Sequence, residues 1–131
     1  MKAVVDTNVL VFDTFEDSEF HGKATSGLDS LDGWYLPEMV FHELVWFFRS
    51  QKIPPARAGA KVQEYLTNEK ASFLPSTADD VVHAATRMKA YSEYNDLLIL
   101  SAAKRLGVPF FTFDEGLAKL ARRSGVELFQ P

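Results

Sequence analysis

Residues 2–12, "KAVVDTNVLVF", set the problem. Ala3, Val4 and Val5 run straight into Asp6, Thr7 and Asn8, and apolar residues resume with Val9, Leu10, Val11 and Phe12. A buried carboxylate without a partner costs several kcal/mol. Asp6 is therefore either compensated or placed where a strand emerges from the core.

The other strand signals are short, continuous apolar runs, "WYL" (34–36), "SFL" (72–74), "PFFTF" (109–113) and "VEL" (126–128). Such runs suit strands covered on both faces. Helical signals alternate with them. Residues 18–31 form one. Pro37 suits the first turn of "PEMVFHELVWFFRS", and Pro54 and Pro55 open "PPARAGAKVQEYLTNE". Thr77 with Asp80 three residues on resembles a capping box and starts a helix to about residue 90. A helix over 95–106 ends at Gly107, and one over 115–124 ends at Gly125.

Strands alternating with helices predict an α/β fold, a Rossmann-like α/β/α sandwich on a parallel five-stranded sheet. Ligands of such sheets bind beyond the carboxyl ends of the strands, near the point where strand order switches. Strand endings are the places to search.

The composition sets bounds. The chain has 131 residues, 47% of them hydrophobic, with 11 Phe, which predicts one domain over residues 1–131 with a substantial core. It has no Cys, which excludes disulfides and thiolate metal sites. No apolar run approaches the ~20 residues that span a bilayer, and no signal peptide is visible. A cytoplasmic protein with no membrane association is the expectation. The net charge of −4 argues against broad electrostatic capture of nucleic acid. It does not exclude a nucleic-acid enzyme whose acids gather around a divalent ion.

Four acids stand in unusual places. Asp6 ends the first strand and Asp114 ends the most apolar one; for each, helix capping or turn formation is the competing reading. Glu43 has Met39, Val40, Trp46 and Phe47 at helical spacing, so it points along a core-facing side. Asp96 has Ile99, Leu100 and Ala103 in the same relation. It could instead be a first-turn acid favoured by the helix dipole, with Asn95 as the cap. At ~4 Å and an effective dielectric of ~20, each like-charge pair among such acids costs about 4 kcal/mol. The constellation makes sense with cations present or with raised pKa values. Hard ions such as Mg²⁺ or Mn²⁺ choose oxygen ligands, and Mg²⁺ completes its shell with water and substrate phosphate. That describes a metal-assisted phosphodiesterase.

"VVDTN" (4–8), the helical Glu43, "NDLLILSAA" (95–103) and "TFDEGL" (112–117), in this order, resemble the PIN-domain nucleases across essentially the whole chain. The chain is most similar to the small VapC-type toxins of toxin–antitoxin pairs. The resemblance implies Mg²⁺- or Mn²⁺-dependent cleavage of RNA, a cognate antitoxin and a homodimer. The family's acids carry over to Asp6, Glu43, Asp96 and Asp114, which would bind metal, Glu43 alternatively orienting the attacking water. Its supporting positions carry over to Asn8, which would brace Asp6, and Thr112, which would hold a carboxylate or a metal-bound water. Thr112 and Asp114, two residues apart on a strand, would face the same way.

Other residues carry weaker signals. Glu93, one turn before Asp96, could extend the cluster. Asp13, Glu16, Asp17 and Glu19 read as an acidic, solvated loop following the first strand, and Asp79 and Asp80 as dipole and capping residues. Arg49, Lys52 and Arg57 are candidate RNA-phosphate contacts. Trp46, Phe47 and Phe48, with Tyr65 and Leu66, suggest a partner surface that a homodimer would cover. The three His, at 21, 42 and 83, show no paired ligand spacing. A free-standing RNA-processing nuclease and a catalytically silent PIN-like interaction module are the alternatives. A phosphoacceptor receiver domain would require a Lys ending the late strand, and "PFFTFDEG" has none.

Overall fold

In β1 (Lys2–Val5), the consecutive residues Ala3, Val4 and Val5 are all fully buried, so the strand is covered on both faces. The structure, a computed structural model, describes all 131 residues. After β1 come α1 (Thr7–Thr14), α2 (His21–Ser30), β2 (Gly33–Pro37), α3 (Glu38–Ser50), α4 (Pro55–Thr67) and β3 (Ala71–Leu74). The chain continues through α5 (Ala78–Arg87), a 3-10 turn over Tyr91–Glu93, α6 (Tyr94–Leu106), β4 (Phe110–Phe111) and α7 (Glu115–Arg123). The strands pair in the order β3-β2-β1-β4, all parallel.

That order puts the topological switch between β1 and β4. The chain winds outward from β1 through β2 to β3, then crosses to the other side of β1 to lay down β4. Loops leaving β1 and β4 therefore diverge, and a crevice opens at their carboxyl ends. Val4 pairs with Phe110 and Val5 with Phe111, which brings Asp6 level with Thr112.

Several expectations need correction. The sheet has four strands, not five: the 126–128 segment makes only a single parallel bridge, Phe110 to Leu128. The "PFFTF" strand shrinks to two residues, because Thr112 and Phe113 turn their polar groups to Asn8 and Asp6 instead of to a neighbouring strand. The first helix, α1, has no counterpart in the sequence signals. Val9–Phe12 is an unbroken apolar run that shows no amphipathic face, yet it is helical, with Val9 and Leu10 fully buried. Residue 13 consequently lies in a helix and not in a solvated loop. The Asp13 carboxylate accepts from Thr25 Oγ1 at 2.9 Å and from the Tyr65 hydroxyl at 2.7 Å. Tyr65, expected on a partner surface, is 4% exposed and is the only buried residue of α4.

The capping box on α5 is present, with Asp in place of Glu, but Asp80 does more than cap. It is buried, and it accepts from Ser101 Oγ at 2.8 Å and from both Arg105 Nε at 3.3 Å and Nη2 at 3.1 Å. Burial alone would raise its pKa; the Thr77 backbone, Ser101 and Arg105 outweigh that and hold it below the usual carboxylate range. The pair ties α5 to α6. Elsewhere α2 approaches β4 closely enough that a Cβ on Gly27 would lie 2.5 Å from the Phe111 ring.

Arg105→Ala leaves a buried carboxylate short of its partner and should destabilise the protein by about 1–3 kcal/mol. Gly27→Ala should cost a similar ~1–3 kcal/mol through overpacking. Urea denaturation of the two variants checks both values, and wild-type midpoints would refute them.

Candidate active site

Asp6 is the N-cap of α1, its Oδ1 accepting from the Thr7 backbone N–H at 2.8 Å. Its Oδ2 accepts from Thr112 Oγ1 at 2.7 Å across the β1–β4 switch. The residue is only 5% exposed. Burial pushes its pKa up to about 7, and the charges of Glu43 and Asp96 push the same way against the two hydrogen bonds.

Asp96 lies in the first turn of α6 and is half-buried. Desolvation raises its pKa to about 6, with Glu43, Asp114 and Glu93 adding to the rise. Asp114 is exposed and is the N-cap of α7, accepting from the Leu117 N–H at 2.9 Å. Asp6 and Asp114 both cap helices, so the cap and a place in the crevice coexist.

Glu43 sits in the middle of α3 with both carboxylate oxygens engaged. Oε1 accepts from Thr7 Oγ1 at 2.5 Å and Oε2 from Asn95 Nδ2 at 3.3 Å. Thr7 and Asn95 went unassigned in this role, and their only sequence signal is adjacency to Asp6 and Asp96. The folded chain turns that adjacency into a clamp from two other helices.

Of the supporting residues, Thr112 holds a carboxylate as expected, and Asn8 takes a different role. Thr112 braces Asp6, and its Oγ1 also accepts from the Asp114 N–H at 3.0 Å and from Asn8 Nδ2 at 3.4 Å. Asn8 makes no hydrogen bond to Asp6. Its Oδ1 accepts from the Phe113 N–H at 3.2 Å, so it fixes the segment that carries Thr112 and Asp114.

Asp6, Thr7, Asn8, Glu43, Asn95, Asp96 and Asp114 line one crevice of about 680 Å³, together with Val11, Phe12, Trp46 and Phe47. All four acids of the sequence reading are in it. Glu93 is close enough to act on Asp96, but its Oε1 accepts from the Lys89 and Ala90 N–H groups at 2.6 and 3.3 Å. Arg49 does not line the crevice itself, but its guanidinium lies over the Trp46 ring at 5.6 Å. Lys52 and Arg57 are exposed, and Arg57 borders a different groove with Phe15, Ile53 and Glu64.

No three of the acids converge closely enough to ligate one ion together. Their oxygen chemistry still suits a hard divalent ion, since Mg²⁺ uses one or two protein carboxylates and fills its shell with water and phosphate. Two carboxylates whose charged forms are disfavoured by burial and by neighbouring acids form a site that gains from any cation.

A family model described as "PIN domain" matches residues 3–123. Among solved structures, the chain superposes on VapC20 of Mycobacterium tuberculosis, a sarcin-ricin loop cleaving toxin, with a TM-score of 0.80 at 19% identity, covering 98% of this chain and 99% of that one. VapBC2 from Rickettsia felis, bound to a DNA fragment from its promoter, gives 0.68 at 17% identity, covering 98% of each chain. FitAcB from Neisseria gonorrhoeae gives 0.64 at 22% identity, covering 100% of this chain and 98% of that one. Comparison with curated proteins returns no match.

The raised pKa of Asp6 has a consequence for stability. Between 3.8, its ordinary value, and about 7, the folded protein holds the proton that the unfolded chain releases. Stability contributed by neutral Asp6 is thus fully present below about pH 4 and lost as pH rises through 7. The full span is worth at most about 4 kcal/mol. In chelator, the stability of Asp6→Asn relative to wild type should rise by about 2–3 kcal/mol between pH 5 and pH 8. Denaturant titrations at the two pH values measure this; a difference independent of pH would contradict it.

Proposed function

Because the chain belongs to the PIN domain family, we propose that its acidic crevice hydrolyses RNA phosphodiester bonds with Mg²⁺ or Mn²⁺, as the toxin of a toxin–antitoxin pair. The observation that carries this reading is the convergence of four acids from four separate segments on one crevice at the sheet switch point, two of them with raised pKa values. A structural role would not require that repulsion. It disfavours the silent interaction module, whose crevice would be more stable with amides.

Asp6, Asp96 and Asp114 are the residues that would hold metal, directly or through water. The ion, when bound, would lower the pKa of water and offset charge on the phosphate. Glu43, fixed through both oxygens, is suited to orient the attacking water and take its proton through its remaining lone pairs. Thr112 and Asn8 keep Asp6 and Asp114 in register across the two loops.

The toxin role is supported by the neighbours that are toxins or toxin–antitoxin complexes. A protein partner that placed an Arg guanidinium among these carboxylates would supply the missing positive charge and block the crevice. A short adjacent gene encoding a DNA-binding protein with an Arg-containing tail would favour this role over free-standing RNA processing.

Labelled RNAs incubated with Mg²⁺ or Mn²⁺ should be cut by wild type and spared in excess chelator. Asp6→Asn and Asp96→Asn should lower turnover by about 100-fold or more with an unchanged circular dichroism spectrum. Equal turnover by wild type and Asp6→Asn would remove Asp6 from the mechanism. Thr7→Val, which keeps the shape and drops the hydroxyl on Glu43, should lower kcat about 10-fold, and Thr7→Ser should restore most of it. Wild-type kcat in Thr7→Val would show that the clamp is not needed.

A further inference from the structure

The crevice has a second wall that the proposed chemistry leaves unused. Trp46 is 62% exposed, whereas the other tryptophan, Trp34, is 6% exposed and buried in the core. Trp46 lines the same crevice as the four acids, beside Phe47 and Phe12. Phe47 is itself fixed by an edge contact with Phe15 at 5.8 Å, so the ring's surroundings are stiff. Glu43, Trp46 and Arg49 recur every three residues on α3, which sets acid, indole and cation in sequence along one side of the helix. At 1.5 Å rise per residue, Glu43 and Arg49 are about 9 Å apart along the axis.

We propose that Trp46 is the stacking platform for an unpaired nucleobase beside the scissile phosphate, with Arg49 as counter-charge for a neighbouring phosphate. The proposal rests on the phosphodiesterase reading and adds a substrate requirement to it. A phosphate seated at the acids brings its own nucleoside within reach of the adjacent wall. That wall offers a flat, exposed, electron-rich ring. Stacking tolerates any base, because every base has a π face. A base inside a duplex is already stacked on both sides and cannot present that face, so the subsite selects single-stranded RNA. Arg49 over the same ring supplies a local positive charge next to an otherwise acidic crevice. A second protein chain is the rival occupant of so exposed a ring. It is disfavoured by the ring's continuity with the acids and by the loss of buried Tyr65 from the apolar surface.

Trp46 is the exposed one of only two tryptophans, so its emission reports occupancy directly. Titrating the protein in chelator with a mixed-sequence single-stranded RNA of about 12 nucleotides should quench fluorescence in wild type and not in Trp46→Phe. The same sequence annealed into a duplex should quench neither. With Mn²⁺, Trp46→Ala should raise KM for the single strand about 10-fold or more with a smaller effect on kcat, and Trp46→Phe should recover most of the loss. An unchanged KM in Trp46→Ala, or equal quenching by duplex, overturns the proposal. So does a change of solution mass in Trp46→Ala with RNA binding intact, which would assign the ring to a protein contact. Failure of the nuclease reading looks different: wild type would be inert with both metals, whatever the state of Trp46.

Discussion

Everything at the crevice depends on one desolvated carboxylate. Asp6 follows three fully buried residues of β1 and is 5% exposed itself, so its charged form loses most of its hydration. Two hydrogen bonds, from Thr7 N–H and Thr112 Oγ1, recover only part of that loss, and its pKa still rises to about 7. The placement follows from the sheet. With β1 central and β4 on its switch side, the residue after β1 must meet the residue after β4, and the parallel register makes that residue Thr112. An apolar residue at position 6 would relieve the desolvation and leave the Thr112 hydroxyl without its acceptor. The fold thus concentrates a local electrostatic cost at the one point where two loops part and a ligand can enter.

Glu43 meets the same field by other means. It stands in the middle of its own helix, and its two oxygens are held by the side chains of Thr7 and Asn95, which lie in the first turns of α1 and α6. Each of those residues is the direct neighbour of another acid in the crevice. A shift of α1 or α6 would therefore move an acid and the Glu43 carboxylate together. Neutral donors hold the geometry without cancelling the charge, which keeps the crevice attractive to a cation.

How much of this was legible in the sequence differs by residue. The winding of strands and helices was readable, because strand runs and helical stretches differ in length and are separated by Pro, Gly and capping signals. The four acids were readable because each interrupts apolar neighbours or ends a strand. The helix carrying Val9–Phe12 was not: an apolar run buried at the centre of a fold loses the periodicity that marks a helix. Which carboxylate Thr112 holds, and that Asn8 bonds the Phe113 N–H and not Asp6, was equally hidden. Their bonds join residues 104 to 106 positions apart, and only the β1–β4 register decides which side chain reaches which. Asp13 misled, and the further bonds of Asp80 beyond its cap were hidden, for one shared reason. Polar residues at helix ends look solvated until a neighbouring helix supplies Thr25, Ser101 or Arg105.

Capping and ligand binding are commonly treated as competing explanations of an acid, and here they cooperate. Asp6 and Asp114 each give one oxygen, Oδ1, to a backbone N–H at the start of a helix. That bond fixes the side-chain rotamer, so less conformational entropy remains to be lost when the other oxygen meets a ligand. Asp96 lies in the first turn of α6, which makes three of the four acids residents of helix N-termini. The partial positive charge of those termini, worth typically ~0.3–1 kcal/mol each, offsets a fraction of the mutual repulsion. It offsets only a fraction, since Asp6 and Asp96 remain shifted upward. The helix ends therefore gather the acids along one crevice while leaving it short of positive charge. A fold that neutralised them fully would be more stable and would have nothing to offer a divalent ion.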